Sequence, residues 1–313
     1  MMVSFTRMMT NQNDMKRLTA LYSVPLCVLL LFSCGSKTKT GNKQLFNRDN
    51  LVAWCVVPFD SVERSPVERA DMLKELGFSQ FAYDWRLQHV PTFSEEIKAL
   101  KEREIKLAAV WVWVDTDTGK IFDEATEQLL NMIKQHEVKT DFWVGFSNKH
   151  FDGLSDDQKL EKAVASVSYI RDRAKELGCT ISLYNHGDWF GEPLNQVRII
   201  EKMGANDVGI VYNFHHAHLQ VNEFPELLNR MLPYLRTVNL NGMKVEGPKI
   251  LTIGEGDREA GMLAVLKESG YSGSLGIICH IETEDAKVVL KRNLDGLKSI
   301  LQAMGEEEAL NTY

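Results

Sequence analysis

The sequence has few cysteines, and no two of them have metal-binding spacing. The five are spread over the chain without a C-x-x-C pattern: Cys27, Cys34, Cys55, Cys179 and Cys279. This spacing argues against a zinc knuckle and against a dense disulfide framework. Positive charge is also in deficit, because 36 basic residues stand against 43 acidic ones and leave a formal net charge of -7. A surface of that sign repels phosphate backbones, so we expect no nucleic-acid partner.

Proline and glycine are too scarce for a collagen-like or low-complexity chain. The 313 residues include 8 Pro and 21 Gly, with 44% apolar and 25% charged residues, as in ordinary folded proteins. The apolar run near the N-terminus, Leu18 to Phe32, has 15 residues. A transmembrane helix needs about 20. Because Lys16 and Arg17 precede this run, it is typical of the h-region of a signal peptide.

The residues after this run resemble a bacterial lipobox. The stretch Leu31-Phe32-Ser33-Cys34-Gly35 has the pattern in which the cysteine is lipidated and becomes the mature N-terminus. We therefore expect a signal peptide over residues 1–33, with Met15 as an alternative start, and a lipidated Cys34. This predicts a lipoprotein of the cell envelope, periplasmic or outer-membrane, that touches the membrane only through its anchor. A plain secretory signal and a buried core segment are the alternatives.

From Leu51 onward, short β-branched or aromatic runs alternate with helical patterns. Most of these runs are continuously apolar, as in parallel strands that are covered on both faces. In one predicted helix, Ser65, Pro66 and Glu68 form a capping box, and Gly77 stands where that helix ends. Eight strands are predicted, over 51–58, 79–85, 106–114, 141–147, 179–185, 208–213, 235–240 and 274–280.

Eight βα units in roughly 250 residues predict an α/β fold, a (β/α)₈ TIM barrel. A doubly wound open sheet is the alternative. That sheet is expected to carry a glycine-rich phosphate turn after its first strand, and Val57-Pro58-Phe59-Asp60 contains no glycine. No composition break interrupts residues 48–305. We therefore expect a polar tether over 34–47, a single barrel domain over 48–305 and a C-terminal tail over 306–313.

A TIM barrel has its active site at the C-terminal ends of its strands, and histidines concentrate there in this sequence. Seven of the eight, all but His136, fall at or just beyond predicted strand ends. Indole faces stack on sugar rings, while amide, carboxyl and guanidinium groups bind hydroxyls. The predicted substrate-binding residues are Asp84, Trp85, Arg86, Trp111, Trp113, Asn148, Asn185, Asn213 and Asn241, and the predicted catalytic residues are His186, His216, His280 and Glu282.

These side chains predict a carbohydrate ligand. They also predict proton transfer, because the ordinary pKa of imidazole is about 6.5. A retaining glycosidase is disfavoured, since its two carboxylates, about 5 to 5.5 Å apart, commonly follow strands four and seven. This chain has Asn148 and Asn239 there. A purely structural role in a loop is the alternative for His186 and for His280.

Three stretches resemble the xylose-isomerase-like barrels, the sugar isomerase/epimerase superfamily. They are 251–257 together with 270–275, between the last two strands, 213–217 at the end of strand six, and 184–187 at the end of strand five. The resemblance implies a divalent metal held by Glu, Asp, His and Glu from strands five to eight. It also implies that the metal polarises a carbonyl while a base removes the adjacent C–H proton.

The sequence departs from this family at each ligand position. Tyr184 replaces the first Glu, Asn213 the Asp and Asn239 the His, and Ile278 or His280 falls where the last Glu belongs. These changes remove most of the charge that would hold a hard cation. A different site made of His186, His216, His280 and Glu282 would favour zinc or manganese, because His280 and Glu282 would share a strand face. Whether a metal is bound stays open.

The resulting hypothesis is an exported carbohydrate-active enzyme that abstracts a proton next to a sugar carbonyl. Reprotonation would give isomerisation or epimerisation, and loss of a neighbouring substituent would give β-elimination of a keto-glycoside, a reaction that the resemblance also implies. We expect His186 or His216 as the base, and Asn185, Asn213 and His280 as donors to the oxygen. Outside the cytoplasm the substrate would be unphosphorylated. The alternative is a non-catalytic carbohydrate-binding barrel, and an endonuclease is disfavoured by the acidic charge.

Overall fold

A computed structural model describes residues 45–115 and 119–313. Eight parallel strands pair in chain order, and β8 pairs with β1 to close the barrel. This confirms the predicted TIM barrel. The predicted signal peptide and Cys34 lie outside the described residues. The strands are β1 Leu51–Trp54, β2 Gln80–Tyr83, β3 Lys106–Val114, β4 Asp141–Phe146, β5 Thr180–Tyr184, β6 Val208–Asn213, β7 Leu235–Leu240 and β8 Ser274–Ile278.

Helices follow the strands and cover the barrel. The first has the predicted capping box, in which Glu68 donates its N–H to the Ser65 hydroxyl and the Ser65 N–H donates to the Glu68 carboxylate. No helix of the described segments is long and apolar enough to cross a membrane. The α-helices are α1 Pro66–Glu75, α2 Phe93–Glu102, α3 Glu124–Gln135, α4 Asp156–Glu176, α5 Asp188–Gly191, α6 Pro193–Met203, α7 Phe224–Met231, α8 Glu259–Glu268, α9 Ala286–Met304 and α10 Glu307–Leu310.

Strands β1 and β8 end earlier than their apolar patterns predict, and in each case a residue with positive φ follows. Strand β1 stops at Trp54 because Cys55 has a φ of +55° and a 3₁₀ turn, Val57–Phe59, follows it. Strand β8 stops at Ile278, and His280 has a φ of +27°. Positive φ is uncommon for residues with a side chain and cannot continue a strand. The chain therefore turns at the rim of the barrel on both of these neighbouring strands, and it does so next to the predicted site.

The core has two parts. The larger part lies between the barrel and its helices. The smaller part fills the barrel interior and includes several large aromatic side chains. Its residues are Val52, Trp54, Cys55, Phe59, Ala82, Ala109, Trp143, Tyr184, Val211 and Ile278. In the interior, Trp54 packs edge-on against Trp143 at 4.7 Å between ring centroids. This interior is a packed core rather than a channel, as in other TIM barrels.

Both ends of the described barrel domain pack against each other. Leu45 and Phe46, in the segment predicted as a tether, are buried. In the segment predicted as a tail, α10 forms and the Tyr313 hydroxyl donates to the Phe46 carbonyl oxygen at 3.0 Å. The Thr312 hydroxyl accepts from the Arg48 N–H at 2.9 Å. Residues 45–47 and 306–313 are thus part of the folded domain.

Candidate active site

A small cavity lies over the C-terminal ends of the strands, where the sequence predicts the site. We call this cavity of about 70 Å³ the inner pocket. Its walls combine indole, imidazole, carboxyl, thiol and guanidinium groups: Trp54, Cys55, Phe59, Asp84, Arg86, Trp111, Tyr184, His186, His215, His216 and His280. Residues from strands β1, β2, β3, β5, β6 and β8, or from just after them, therefore converge on one volume.

The floor of the inner pocket is formed by aromatic side chains that pack against one another and share hydrogen bonds. The Tyr184 hydroxyl accepts from Trp54 Nε1 at 2.9 Å and from Asn213 Nδ2. The Tyr184 ring also packs edge-on against Trp111 at 4.8 Å between centroids. Burial raises the pKa of the Tyr184 hydroxyl far above its usual value, so this group stays a neutral phenol.

The four positions that hold a metal in the resembled family do not fit a divalent cation here. Tyr184 is neutral and its hydroxyl already accepts two hydrogen bonds. Asn213 and Asn239 are completely buried carboxamides, and Ile278 points into the apolar barrel interior. Hard cations select charged oxygen ligands, which this set lacks. Among residues 45–115 and 119–313, no group of three or more His, Cys, Asp or Glu side chains has a metal-binding arrangement.

The premise that His280 and Glu282 share a strand face is wrong. Strand β8 ends at Ile278, so two-residue alternation does not extend to these positions. His280 lines the inner pocket, whereas Glu282 is exposed and lines a separate surface cavity beside Asp60 and Arg64. Glu282 therefore does not join the histidines, and the alternative metal site that included it is not formed.

Four histidines cluster in the inner pocket, one more than the sequence argument selected. His186 and His216 lie 4.5 Å apart between ring centroids, and His215 and His216 lie 3.8 Å apart. His215 and His280 are 5.2 Å apart and nearly perpendicular. His215 follows Asn213 by two residues beyond the end of β6. The adjacent pair His215-His216 is the sequence feature that could have identified it, but the sequence analysis predicts only His216 as a catalytic residue.

All four imidazoles of the inner pocket are neutral at pH 7. Loss of solvent contact and the neighbouring histidines lower the pKa of His216 to about 2 and that of His215 well below its ordinary value. Desolvation and Arg86 lower the pKa of His280 to about 4, and desolvation also lowers that of His186. A neutral imidazole offers one N–H donor and one acceptor.

Asp84 is the carboxylate of the inner pocket. Its Oδ1 accepts from the Val56 and Val57 N–H groups, each at 3.2 Å, which fixes the carboxyl group at the end of β2. Its Oδ2 is buried and has no hydrogen-bond partner among the described residues. Burial raises the pKa of Asp84 to about 7, although Arg86 and the two backbone N–H groups oppose the shift. Asp84 thus changes charge near neutral pH.

A larger groove opens from the inner pocket toward solvent. We call this cavity of about 340 Å³ the outer groove. Arg86, Trp111 and His186 line both cavities, so the two adjoin at these side chains. The remaining residues of the outer groove are Trp85, Leu87, Trp113, Asp115, Asp123 and Thr126. The structure therefore gathers the tryptophans and Arg86 that the sequence assigned to substrate binding around one entrance.

None of the four predicted amides lines either cavity. The Asn185 side chain is buried and exchanges hydrogen bonds with the Asn213 backbone, which ties β5 to β6. Asn241 Nδ2 donates to the Gly242 and Lys249 carbonyl oxygens. Asn148 is exposed on a 3₁₀ turn. The fourth amide, Asn213, lies beneath the pocket with its Nδ2 bonded to Tyr184. These amides shape the rim and the floor rather than the walls of the cavities.

The fold is a TIM barrel with its candidate site at the C-terminal ends of the strands, and comparison with known families shows which kind of TIM barrel it is. The family model of xylose isomerase-like TIM barrels matches residues 70–300. The chain therefore belongs to this family, as its sequence resemblance predicts. No curated protein sequence matches the chain.

Solved structures of the same fold include several enzymes that act on small molecules. The 3-keto-D-glucoside 4-epimerase from E. coli is 17% identical, with a TM-score of 0.58 and coverage of 79% of this chain and 98% of that one. A probable 3-DHS dehydratase from Bacillus anthracis is 14% identical, with a TM-score of 0.62 and the same coverages. The IOLI protein, solved with a bound zinc atom, is 12% identical, with a TM-score of 0.57 and coverages of 81% and 98%. Identities this low show a shared fold.

Proposed function

We propose that this protein is an exported, carbohydrate-active enzyme that abstracts a proton next to the carbonyl group of an unphosphorylated sugar. The observation that carries the proposal is the Asp84 carboxyl group, which lines the pocket of neutral imidazoles, is held by two backbone N–H groups and has a buried second oxygen without a partner among the described residues. A carboxyl group with a pKa near 7 accepts a proton efficiently at neutral pH.

In the proposed reaction, ionised Asp84 accepts the proton from the carbon next to the carbonyl. The electron pair of the broken C–H bond moves toward the carbonyl oxygen and leaves an enolate. His215 and His280 line the inner pocket as neutral imidazoles, and each has one N–H that can donate to the enolate oxygen. Donors that are fixed in a desolvated pocket stabilise such developing charge.

Two outcomes follow from the same enolate. Return of a proton to the opposite face of the same carbon gives epimerisation. Return of the proton to the former carbonyl carbon gives isomerisation, provided that the hydroxyl on the adjacent carbon passes its proton to the enolate oxygen and becomes the new carbonyl. Alternatively, the electron pair forms a C=C bond and the C–O bond of the β-substituent breaks. The departing oxygen then takes the proton that Asp84 holds. Two proteins of the same fold are named as an epimerase and a dehydratase, and these names support both outcomes, proton return to carbon and β-elimination.

Asp84 is a stronger candidate for the base than His186 or His216. The pKa of His216 is lowered to about 2, and an imidazole with so low a pKa is a weak proton acceptor. Because the four family ligand positions do not fit a divalent cation, each proposed step uses carboxyl, imidazole and guanidinium groups. Arg86 lines the pocket and supplies positive charge near the enolate.

The export part of the proposal rests on the N-terminal sequence alone. The apolar run ending before Cys34 supports a lipid-anchored protein of the cell envelope, periplasmic or outer-membrane. The test is to express the whole chain in a bacterium with radiolabelled palmitate. Label that appears in the wild type and disappears in Cys34→Ser supports the anchor, and equal labelling of both proteins would overturn it.

The test of the chemistry is deuterium exchange. The purified protein is incubated with 3-keto sugars and 3-keto glycosides in D₂O, and NMR monitors the hydrogens next to the carbonyl. We expect exchange in the wild type and its loss in Asp84→Asn, which keeps the hydrogen-bond acceptor for Val56 and Val57 but cannot take the proton. His280→Ala should slow exchange by about 10²–10³-fold, the usual cost of removing one enolate-binding donor.

The matched controls lie outside both cavities. Asp71→Asn changes an exposed carboxylate on α1, and His136→Ala changes a histidine at the end of α3. Both should exchange as the wild type does. Tight binding of a keto sugar by the wild type without any exchange would overturn the proposal, and would favour the alternative of a non-catalytic carbohydrate-binding barrel.

A further inference from the structure

The size of the inner pocket limits what it can hold. Its volume of about 70 Å³ is well below the roughly 300 to 1,000 Å³ of typical small-molecule sites. The outer groove, at about 340 Å³, reaches that range. A ligand whose reacting atoms enter the inner pocket must therefore leave much of its volume in the outer groove.

The outer groove has an aromatic wall that is built into the barrel. Trp111 and Trp113 stack with 5.8 Å between centroids and 19° between planes. Trp85 donates its Nε1–H to the Trp111 carbonyl oxygen at 2.8 Å, which fixes the third indole beside them. Leu87 adds an apolar side chain that is 71% exposed. Flat apolar walls of this kind bind the faces of rings.

Gly145 makes room for this wall. It pairs with Trp113 across β3 and β4, and a Cβ atom at this position would lie 2.8 Å from a Trp111 ring atom and 2.9 Å from Trp113 ring atoms. A side chain there would push both indoles away. The two rings therefore lie where they do because strand β4 has glycine at this position.

The charged groups at the groove select against anionic ligands. Asp115 and Asp123 line it together with one guanidinium, that of Arg86. Asp123 Oδ1 already accepts the Thr126 N–H at 2.7 Å as the N-cap of α3, which holds its carboxylate in place. Carboxylates accept hydrogen bonds from hydroxyl groups and repel phosphate. The combination of an indole wall with carboxylates suits a neutral ring that carries hydroxyls.

We infer that the outer groove is a binding site for a second, neutral sugar ring, joined by a glycosidic bond to the ring whose carbonyl enters the inner pocket. The substrate is thus a keto-disaccharide rather than a free keto-monosaccharide. This inference rests on the proposed function for the identity of the reacting end. The wall formed by Trp85, Trp111 and Trp113 holds the second ring, and Arg86 lies at the junction of the two cavities.

The experiment compares 3-ketocellobiose with 3-ketoglucose, the same keto ring with and without a second glucose, by isothermal titration calorimetry on the wild-type protein. We expect the disaccharide to bind about tenfold more tightly, a ratio that corresponds to about 1.4 kcal/mol. Trp113→Ala should weaken binding of the disaccharide more than binding of 3-ketoglucose and so bring this ratio near one. Trp189→Ala, which removes an indole outside both cavities, should keep the ratio of the wild type.

A second variant, Leu87→Asp, tests the groove independently in case Trp113→Ala misfolds. Leu87 is largely exposed, so Leu87→Asp should leave the fold intact and still lower the disaccharide preference. Equal affinities of the wild type for the two sugars, or failure to bind the disaccharide, would overturn the inference. Deuterium exchange separates the two proposals. Exchange without a disaccharide preference overturns only the inference about the outer groove. A Trp113-dependent preference without exchange supports that inference and contradicts proton abstraction.

Discussion

Trp54 donates its indole N–H to the hydroxyl of Tyr184 at 2.9 Å, across the barrel from β1 to β5. Asn213 on β6 donates to the same oxygen. Tyr184 stands where the resembled family has its first metal-ligating Glu, and the hydrogen bonds that converge on its hydroxyl tie β1, β5 and β6 together. The floor of the inner pocket is therefore made of neutral groups, and the ionisable groups lie above it.

Tyr184→Phe should destabilise the barrel. Loss of the hydroxyl leaves the buried Trp54 Nε1 and Asn213 Nδ2 without an acceptor, at a cost of about 1–3 kcal/mol for each. Urea unfolding followed by circular dichroism measures the change. Tyr169→Phe, on the exposed surface of α4, is the control and should change stability by less than about 0.5 kcal/mol. Equal stabilities of the two variants would contradict the importance of these hydrogen bonds.

Gly276→Ala should also destabilise the fold. A Cβ atom at this position would lie 1.8 Å from Asn239 Oδ1 on the adjacent strand, so the backbone or the buried amide must move. Overpacking of this kind costs about 1–3 kcal/mol or more. In contrast, Gly261→Ala lies in α8 with no atom within 4 Å of the new methyl group, and should stabilise the protein by about 0.5–1 kcal/mol. Thermal unfolding of both variants tests the difference in sign.

Asp84→Asn should stabilise the protein at pH 8 but not at pH 4. Burial raises the pKa of Asp84 to about 7 in the folded state, above its ordinary value of 3.8. The folded protein therefore binds a proton that the unfolded chain releases between these values, and stability is lost as the pH rises toward 7. Each unit of pKa shift corresponds to about 1.4 kcal/mol, so the gain of the variant should be at most a few kcal/mol.

The comparison is made by thermal unfolding at both pH values. The histidines with lowered pKa values destabilise the fold in acid, but they do so equally in the wild type and in Asp84→Asn. Their contribution therefore cancels in the difference. If Asp84→Asn changes the stability by the same amount at pH 4 and at pH 8, Asp84 does not titrate with a raised pKa.

Deuterium exchange should become faster as the pH rises through about 7. Asp84 must be ionised to accept the proton, and its pKa is raised to about 7. The pKa of His280 is lowered to about 4 and that of His216 to about 2, so neither changes charge between pH 6 and pH 8. Initial exchange rates from pH 5 to pH 9 give the profile. A rate that falls with rising pH through 7 would identify an acid rather than a base as the limiting group.

The histidines show how far sequence reasoning reached toward the site. Positions at or just beyond the ends of predicted strands predict His186, His216 and His280 as site residues, and all three line the inner pocket. The position of a residue after a strand is a local property, so the sequence determines it. Asn148 and Asn185 were selected by the same rule, yet neither reaches a cavity. The rule places a residue at the rim but does not say where its side chain points.

Residues 45–115 and 119–313 form their barrel from patterns that are present in the sequence alone. Eight apolar runs with helical segments between them determine the number and order of strands, and the capping box at Ser65 determines where α1 begins. These features depend on hydrogen bonds and apolar spacing within about ten residues. Family membership also follows from the sequence, through the stretches at the ends of β5 and β6 and before β8.

Only the tertiary structure decided which ionisable groups meet. Positive φ values at Cys55 and His280 end β1 and β8 early. Because β8 does not continue to Glu282, this side chain lies outside the inner pocket, whereas His280 lines it. Closure of the barrel brings Asp84 from β2 beside histidines that follow β5, β6 and β8. Burial there raises the pKa of the carboxyl group and lowers those of the imidazoles. Desolvation and charge proximity depend on contacts between distant parts of the chain, and local sequence patterns do not specify them.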